Sequence, residues 1–205
     1  MLDTALEFVD RHGLAALSMR KLGAELDVEA MTLYYYVPSK AALLDALVDR
    51  VSELSRPTAA AAADPPADRL RAFAHALRAT LIRHPGVLPL VATRPLHSAD
   101  SLPFMESSLA GLRATGLTAG QAMDLLNVIG TFVIGHTLAE VGRPPGHEDT
   151  AETDLPELDP AEYPNLAEVV ATGTGLDQAD RFARAVEVLL AGFGGSQLTA
   201  APVTR

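Results

Sequence analysis

Three cationic side chains, Arg20, Lys21 and Lys40, flank a run of three consecutive tyrosines at residues 34–36. Cations neutralise phosphate groups, and the forked guanidinium group of arginine also pairs with the O6 and N7 acceptors of guanine. Tyrosine presents a flat apolar ring with a hydrogen-bonding tip. These residue types at this spacing have the chemistry of a surface that contacts a nucleic acid.

The residues around this group predict the helices that position it. Leu17, Leu22 and Leu26 are spaced to share one helical face, and Gly23 lies between them, where a second backbone could approach closely. Asp27 tolerates the left-handed conformation that would end this helix in a tight turn. The pattern predicts a short first helix that has Ser18 as its N-cap and ends at a turn.

A second short helix follows the turn, anchored by Val28 and Leu33. The segment LYYYV also has strand propensity, but no alternating run flanks it, and residues 38–40 (PSK) form a break followed by a fresh helix N-cap. We therefore predict a helix-turn-helix whose second helix fits a DNA major groove. Its outer surface consists of Ala30, Met31, Thr32, Tyr34, Tyr35 and Tyr36.

Two segments then carry a resemblance to a known family: ALEFVDRHGLAALSMRKLGAELDV and MTLYYYVPSKAALLDAL. They resemble the DNA-binding domain of the TetR (tetracycline-repressor) family of transcriptional regulators. The later segments VATRPLHSAD and SSLAGLRATGLTAGQAMDLLNVIGTFVIGHTLAE resemble the ligand-binding domain of the tetracycline repressors. The resemblance implies an all-α protein, with a three-helix helix-turn-helix DNA-binding domain at residues 1–50 and a helical ligand-binding and dimerisation domain at residues 62–198.

The resemblance also assigns DNA-contacting roles. Arg20 lies where the family places a base-contacting residue, and Ala30 and Met31 would face bases through apolar contacts such as a thymine methyl group. Tyr35 and Tyr36 either contact DNA or pack with their hydroxyl groups in water. The positions that usually hold phosphates are occupied by Ser18, Thr32, Tyr34 and Lys40.

By the same resemblance, helices within residues 68–141 would enclose an apolar cavity for a small-molecule effector. Each side chain chosen for its wall could instead belong to the ordinary core. The candidate ligand-binding residues are Phe73, Leu77, Arg94, Phe104, Met105, Asn127, Thr131 and His136.

The sequence departs from the tetracycline repressors at the drug site. Those proteins hold a magnesium–drug chelate through histidine and glutamate side chains. Here LPLV precedes residues 92–95 (ATRP), without the expected histidine, and Thr131 stands where another drug-contacting histidine would be. His136 and Glu140 are spaced for a metal ion, but two ligands without a third make a weak site. We expect no metal, no cofactor, and an effector other than tetracycline.

The segment 118–141 predicts a long helix that is apolar nearly all round, with Gly130 and Gly135 leaving room for a close neighbour. Together with a final helix at residues 177–193, it is the candidate for a four-helix homodimer interface. The alternative is that both helices belong only to the core of one chain. A homodimer would suit a near-palindromic operator, since a single recognition helix reads few bases.

Apolar periodicity predicts the remaining helices, whereas Pro-rich composition predicts loops at residues 56–68 and 142–165. The further predicted helices run from Leu2 to Gly13, from Ser39 to Leu54, from a cap at Asp68 to His84, and from Leu102 to Ala114.

Composition conflicts with DNA binding in one respect. The net charge is −10, and residues 1–56 contain six Lys or Arg against nine Asp or Glu residues, whereas DNA-binding domains are usually basic. Family members also usually carry a basic arm before the first helix, and Met1 falls inside its expected first turn. These two features favour an alternative: a helical small-molecule-binding protein with weak or lost DNA binding.

Other function classes find no support in the sequence. It contains no cysteine, no G-x-S-x-G, no H-E-x-x-H and no phosphate-binding glycine loop, so we expect no enzyme. It lacks the pattern of a secretory signal, and its most apolar run, residues 125–139, is shorter than a membrane span. We therefore expect a cytoplasmic protein that has no membrane partner.

Overall fold

A computed structural model describes residues 1–56, 64–94, 98, 101–141, 158–173 and 175–193. Every regular element in this part of the chain is a helix, which confirms the all-α prediction. Two 3₁₀ turns, at Leu14–Ala16 and Pro85–Val87, join some of the α-helices. The α-helices are α1 (Leu2–His12), α2 (Met19–Glu25), α3 (Ala30–Tyr34), α4 (Lys40–Leu54), α5 (Pro66–Arg83), α6 (Leu88–Thr93), α7 (Leu102–Ala114), α8 (Ala119–Val141), α9 (Pro164–Thr172) and α10 (Gln178–Gly192).

Helix α4 is shared by the two halves of the fold. It packs against α1 on one side and against α5 and α6 on the other. Its fully buried residues Leu43 and Leu47 lie at the i, i+4 spacing that the sequence pattern predicted. Any displacement of α4 would therefore change its packing against both α1 and the body of the protein.

A polar contact also holds α1 on the body. The Asp10 carboxylate lies 2.6 Å from Nδ1 of His84 and accepts a hydrogen bond of 3.1 Å from the backbone N–H of Gly86. A Cβ atom on Gly86 would lie 2.7 Å from the Val9 carbonyl oxygen, so only glycine permits this approach. The His84-Pro85-Gly86 segment, where the sequence predicted only the end of a helix, thus forms the surface against which α1 packs.

The body is built from α5, α7, α8 and α10 around Phe182, which is fully buried. The ring of Phe132 stacks on it with centroids 5.5 Å apart, and the guanidinium carbon of Arg78 lies 5.2 Å from its centroid. Arg78 also donates two hydrogen bonds, of 2.9 and 2.5 Å, to the carboxylate of Glu140. One aromatic side chain on α10 thereby joins α5 and α8.

Several predicted boundaries require correction. Helix α5 begins at Pro66, so Asp68 lies in its first turn and is not its cap, since proline at N1 already has helical φ. Helix α9 was not predicted, and it takes the last two residues of the predicted loop 142–165. Residues 57–63 of the predicted linker and 142–157 of the predicted loop lie outside the described residues.

Candidate nucleic-acid interface and internal cavity

Two serine caps define the ends of the helix-turn-helix. Oγ of Ser18 accepts a hydrogen bond of 3.3 Å from the backbone N–H of Lys21 and caps α2. Oγ of Ser39 accepts one of 3.0 Å from Ala42 and caps α4. Both caps were predicted, and each satisfies a backbone donor that has no partner within its helix.

The turn between α2 and α3 depends on two residues. Asp27 has φ of 53°, the left-handed conformation that its sequence position predicted. Gly23 allows α3 to cross close to α2, because a Cβ atom there would lie 2.8 Å from the Val28 carbonyl oxygen and 3.2 Å from the Ala30 nitrogen. The angle between the two helices is therefore set by backbone contact.

Helix α3 buries one side and exposes its aromatic residues. Leu33 and, just beyond the helix, Val37 are buried anchors. The exposed fraction is 94% for Tyr35, 74% for Tyr36, 73% for Met31 and 43% for Tyr34. Large hydrophobic side chains that are exposed side by side mark an interaction surface.

The cations of this surface are free of acidic partners. Arg20, Lys21 and Lys40 are exposed, and none makes an ion pair with another residue in the described part of the chain. In contrast, four of the nine acids in residues 1–56 pair with arginines and so contribute less to the local potential. These acids are Asp3, Glu25, Asp45 and Glu53. Part of the acidic charge of the N-terminal segment is therefore held in ion pairs with arginines of the same chain.

Eight of the nine predicted DNA-contacting residues lie on α2 or α3 or within two residues of these helices, and Lys40 is the first residue of α4. Seven of the nine are exposed, whereas Ser18 and Ala30 are half-buried. Ser18 uses a lone pair of its hydroxyl oxygen for the cap, which leaves its O–H free to donate. The structure thus places these residues where the prediction needs them, and their contacts with DNA stay predicted.

A cavity of about 460 Å³ lies within the body. This volume is in the range of pockets that hold drug-sized molecules. Its wall is contributed by α4, α5, α6, α7 and α8, and is mostly apolar. It contains seven of the eight predicted ligand-binding residues: Phe73, Leu77, Arg94, Phe104, Met105, Asn127 and Thr131.

His136, the eighth, lies outside the cavity wall. Its ring faces α10, with its centroid 5.2 Å from that of Phe182 and 5.5 Å from that of Phe132. It was chosen because it shares a broad apolar stripe with residues that do line the cavity. On a helix with apolar residues all round, that stripe alone does not distinguish the cavity from the α10 contact.

Two further wall contributions were missed by sequence reasoning. Val48, Val51 and Ser52 bring α4 to the cavity, and Arg69 adds a cation from α5. Val48 and Val51 were predicted to belong to an apolar stripe on α4, and no local signal separates a core face from a cavity wall. Ser52 did not belong to that stripe. Arg69 follows the proposed cap Asp68 and had no pattern of its own.

Arg94 connects the cavity to α4. Its guanidinium group lines the cavity and forms an ion pair with Asp45, one turn into α4. Opposite, the rings of Phe73 and Phe104 lie with centroids 5.7 Å apart, and the guanidinium carbon of Arg56 lies 5.0 Å from the Phe104 centroid. The wall therefore combines an aromatic pair with an arginine that is tied to the helix next to α3.

In the possible metal pair, Arg78 binds the carboxylate of Glu140, whereas Nε2 of His136 is buried and makes no hydrogen bond to a described residue. Nε2 of His136 lies 3.9 Å from the Glu140 carboxylate, which accepts the two hydrogen bonds from Arg78. Within the described ranges no cluster of three metal-ligating side chains occurs.

Helices α8 and α10 pack against each other and leave apolar side chains exposed. Leu138 is 49% exposed and Val188 is 69% exposed, and a Cβ atom on Gly135 would meet nothing within 4 Å. By length and composition, α8 is long and apolar enough to cross a membrane. This differs from the prediction that the most apolar run, residues 125–139, is too short for a membrane span. Of the most apolar window of α8, 28% is buried inside the protein. This surface lacks a partner within the described chain.

Comparison with known families gives two matches that together span most of the chain. Residues 1–47 match the family described as bacterial regulatory proteins, tetR family. Residues 62–195 match the tetracyclin repressor-like C-terminal domain.

Individual relatives give the same result. The transcriptional repressor DrrR1 of Streptomyces coeruleorubidus is 32% identical over 84% of this chain and 64% of its own length, so the aligned region covers just under two thirds of that relative. The class D tetracycline repressor of Escherichia coli is 29% identical over 98% of this chain and 89% of its own length. The solved structure of ActR from Streptomyces coelicolor in complex with actinorhodin has a TM-score of 0.70 and 28% identity, covering 96% of this chain and 95% of that one.

Proposed function

Because this chain belongs to the TetR family of transcriptional regulators, we propose that it binds a palindromic operator as a homodimer and is released by a small-molecule effector. Its output would be repression, the role named for DrrR1 and for the tetracycline repressors. Its place of action would be the cytoplasm, where the chromosome of a bacterium is accessible.

The observation that carries the proposal is the outward face of α3. A helix that buries Leu33 and exposes Met31 and Tyr34–Tyr36, beside cations that have no acidic partner among the described residues, has the shape and the charge for a major groove. The neighbouring acids reduce non-specific attraction, since that attraction depends on phosphate neutralisation. We expect binding that is selective and sensitive to salt.

The route from effector to DNA runs through α4. This helix supplies three residues of the cavity wall, accepts the ion pair from Arg94 and begins three residues after Val37, the last anchor of α3. An effector that fits one position of α4 better than another would shift the populations of the two. In a dimer this shift would change the spacing of the two α3 helices and lower operator affinity.

The exposed faces of α8 and α10 are the proposed dimer interface. Light scattering coupled to gel filtration should give a dimer for the unaltered protein. Val188→Asp and Leu138→Asp, which place a charge in the centre of an apolar contact, should each give monomers. Glu168→Lys, a charge change on the exposed surface of α9, serves as the control. A monomeric unaltered protein would contradict the dimer.

A band-shift titration against the intergenic DNA upstream of the gene tests DNA binding. Tyr34→Ala and Lys40→Ala should weaken binding to all sequences, whereas Arg20→Ala should also relax base preference. Two controls match them: Tyr163→Ala, which has the same 43% exposure as Tyr34, and Arg113→Ala on α7. If all three test variants bind DNA with unchanged affinity, the DNA-contacting roles assigned to Tyr34, Lys40 and Arg20 are wrong.

The second candidate is a ligand-binding protein that has lost operator binding. Its supporting observation is the pair of exposed acids, Asp27 and Glu29, immediately before α3, together with the net charge of −10. The same titration at low salt separates the two candidates: effector binding without any band shift would favour this second function. In either case we propose an effector other than tetracycline, because Leu90 and Thr131 occupy the region where histidines were expected.

A further inference from the structure

Two residues of the cavity wall have a polar side-chain group without a partner among the described residues. The first is Oγ of Ser52 on α4, which is buried and makes no hydrogen bond. The second is the guanidinium group of Arg69 on α5, which makes no ion pair or hydrogen bond to any described residue. Buried polar groups are normally paired, so the unpaired Oγ atom of Ser52 indicates a partner supplied from outside the protein. Arg69 is half-buried, and its charge has no acidic partner among the described residues.

The charge of the wall shows which group is missing. The cavity is lined by two arginines and, within the described residues, by no aspartate or glutamate. Arg94 is neutralised by Asp45, whereas Arg69 has no acidic partner among the residues that the structure describes. The guanidinium group of Arg69 lies close to α7, since a Cβ atom on Gly111 would be 3.4 Å from its Nη1 atom. A cation held against an apolar wall gains most from an anion that forms charge-assisted hydrogen bonds with it.

The apolar part of the wall favours a flat molecule. Phe73 and Phe104 lie side by side with centroids 5.7 Å apart, and they are surrounded by leucine, valine and methionine side chains. Aromatic rings prefer offset-stacked or edge-to-face contact with other rings. A cavity of about 460 Å³ has room for two or three fused rings.

We propose that the effector is an organic anion: a planar aromatic acid whose carboxylate binds Arg69 and which also offers a hydrogen-bond acceptor to the hydroxyl of Ser52. The inference rests on the proposed function for its regulatory meaning, but it concerns binding and is tested by binding. Because Ser52 lies on α4, such an effector would make a polar contact with the helix that adjoins α3.

The test compares 4,5-dihydroxyanthraquinone-2-carboxylate with its methyl ester, which has the same rings without the charge. Calorimetry on the full chain in the absence of DNA should show the acid binding at least about tenfold more tightly than the ester. Arg69→Gln should weaken binding of the acid by about tenfold to a hundredfold and leave the ester unaffected. Arg69→Lys should restore part of the loss, and Arg113→Gln should change neither compound.

Ser52→Ala separates a binding role from a structural one. Removing a hydroxyl that has no partner should leave the melting temperature of the free protein unchanged or raised, since no hydrogen bond is lost. The same substitution should weaken binding of the acid by about twofold to tenfold. A lowered melting temperature with unchanged affinity would show that Ser52 acts in the fold only.

Three outcomes would overturn the inference. The protein binds the acid and the ester equally tightly, Arg69→Gln weakens the binding of both compounds equally, or neither compound binds. Operator binding is measured on the same preparations. A protein that shifts its operator and prefers the ester keeps the proposed function and loses this inference. A protein that prefers the acid and never shifts DNA keeps the inference and loses the proposed function.

Discussion

Substituting Gly23 by alanine tests whether backbone contact between α2 and α3 holds the recognition helix in place. The added Cβ atom would lie 2.8 Å from the Val28 carbonyl oxygen, 3.2 Å from the Ala30 nitrogen and 3.4 Å from the Ala30 Cα atom. All three are backbone atoms, so no side chain can rotate away to relieve the contact. The chain must instead move α3 relative to α2.

The expected magnitude follows from two opposing terms. Overpacking costs about 1–3 kcal/mol, and replacing glycine by alanine inside a helix recovers up to about 1 kcal/mol. Because the shortest contact is far inside normal separation, we expect a net loss of about 1–2 kcal/mol in the free energy of unfolding, or roughly 2–8 °C in melting temperature. Since α3 must move, operator affinity should fall as well.

Gly120→Ala is the matched control. Gly120 lies in the first turn of α8, it is exposed, and a Cβ atom there would meet nothing within 4 Å. The control should keep or slightly raise the melting temperature and leave DNA binding unchanged. Differential scanning calorimetry and a band-shift titration on both variants decide the matter. If Gly23→Ala is as stable as Gly120→Ala and binds DNA equally well, the close backbone crossing does not position α3.

Three further predictions concern the body of the protein. Phe182→Ala should lower the free energy of unfolding by about 3–5 kcal/mol, because a fully buried ring would be lost, and urea unfolding measures this. Arg71 holds the pKa of Glu187 below its ordinary value of 4.5 by donating hydrogen bonds to it, so their ion pair stabilises the fold above that pH and loses its effect in more acid solution. Glu187→Gln should therefore cost no more than about 1 kcal/mol at neutral pH and less at about pH 3, as urea unfolding at both pH values would show. Asp45→Asn should not weaken effector binding, since it leaves the charge of Arg94 on the cavity wall unpaired, but it should reduce effector-induced release of DNA by about twofold to fivefold, because the link between Arg94 and α4 is lost. An undiminished release in band shifts would contradict this.

Local patterns determined most of the helices. The apolar stripe after Ser39 predicted α4 to its last residue, and Leu102–Ala114 is α7 as predicted. The left-handed turn at Asp27 and the cap at Ser18 followed from short-range backbone chemistry, which depends only on neighbours in the chain. Helix α9 was not predicted because it is short, begins at Pro164 and buries no side chain, so its sequence carries no apolar pattern of a core-facing helix.

The tertiary structure decided what each helical face meets. Residues on one turn of α4 or α8 carry the same apolar signal whether they face a core, a cavity or a second subunit. Periodicity therefore could not direct His136 towards Phe182, or bring Ser52 and Arg69 to the wall of one cavity. Those placements arise where helices distant in sequence converge. The sequence alone determined most of the helices and the exposed chemistry of α3, whereas the convergence of five helices determined the cavity and the unpaired groups on its wall.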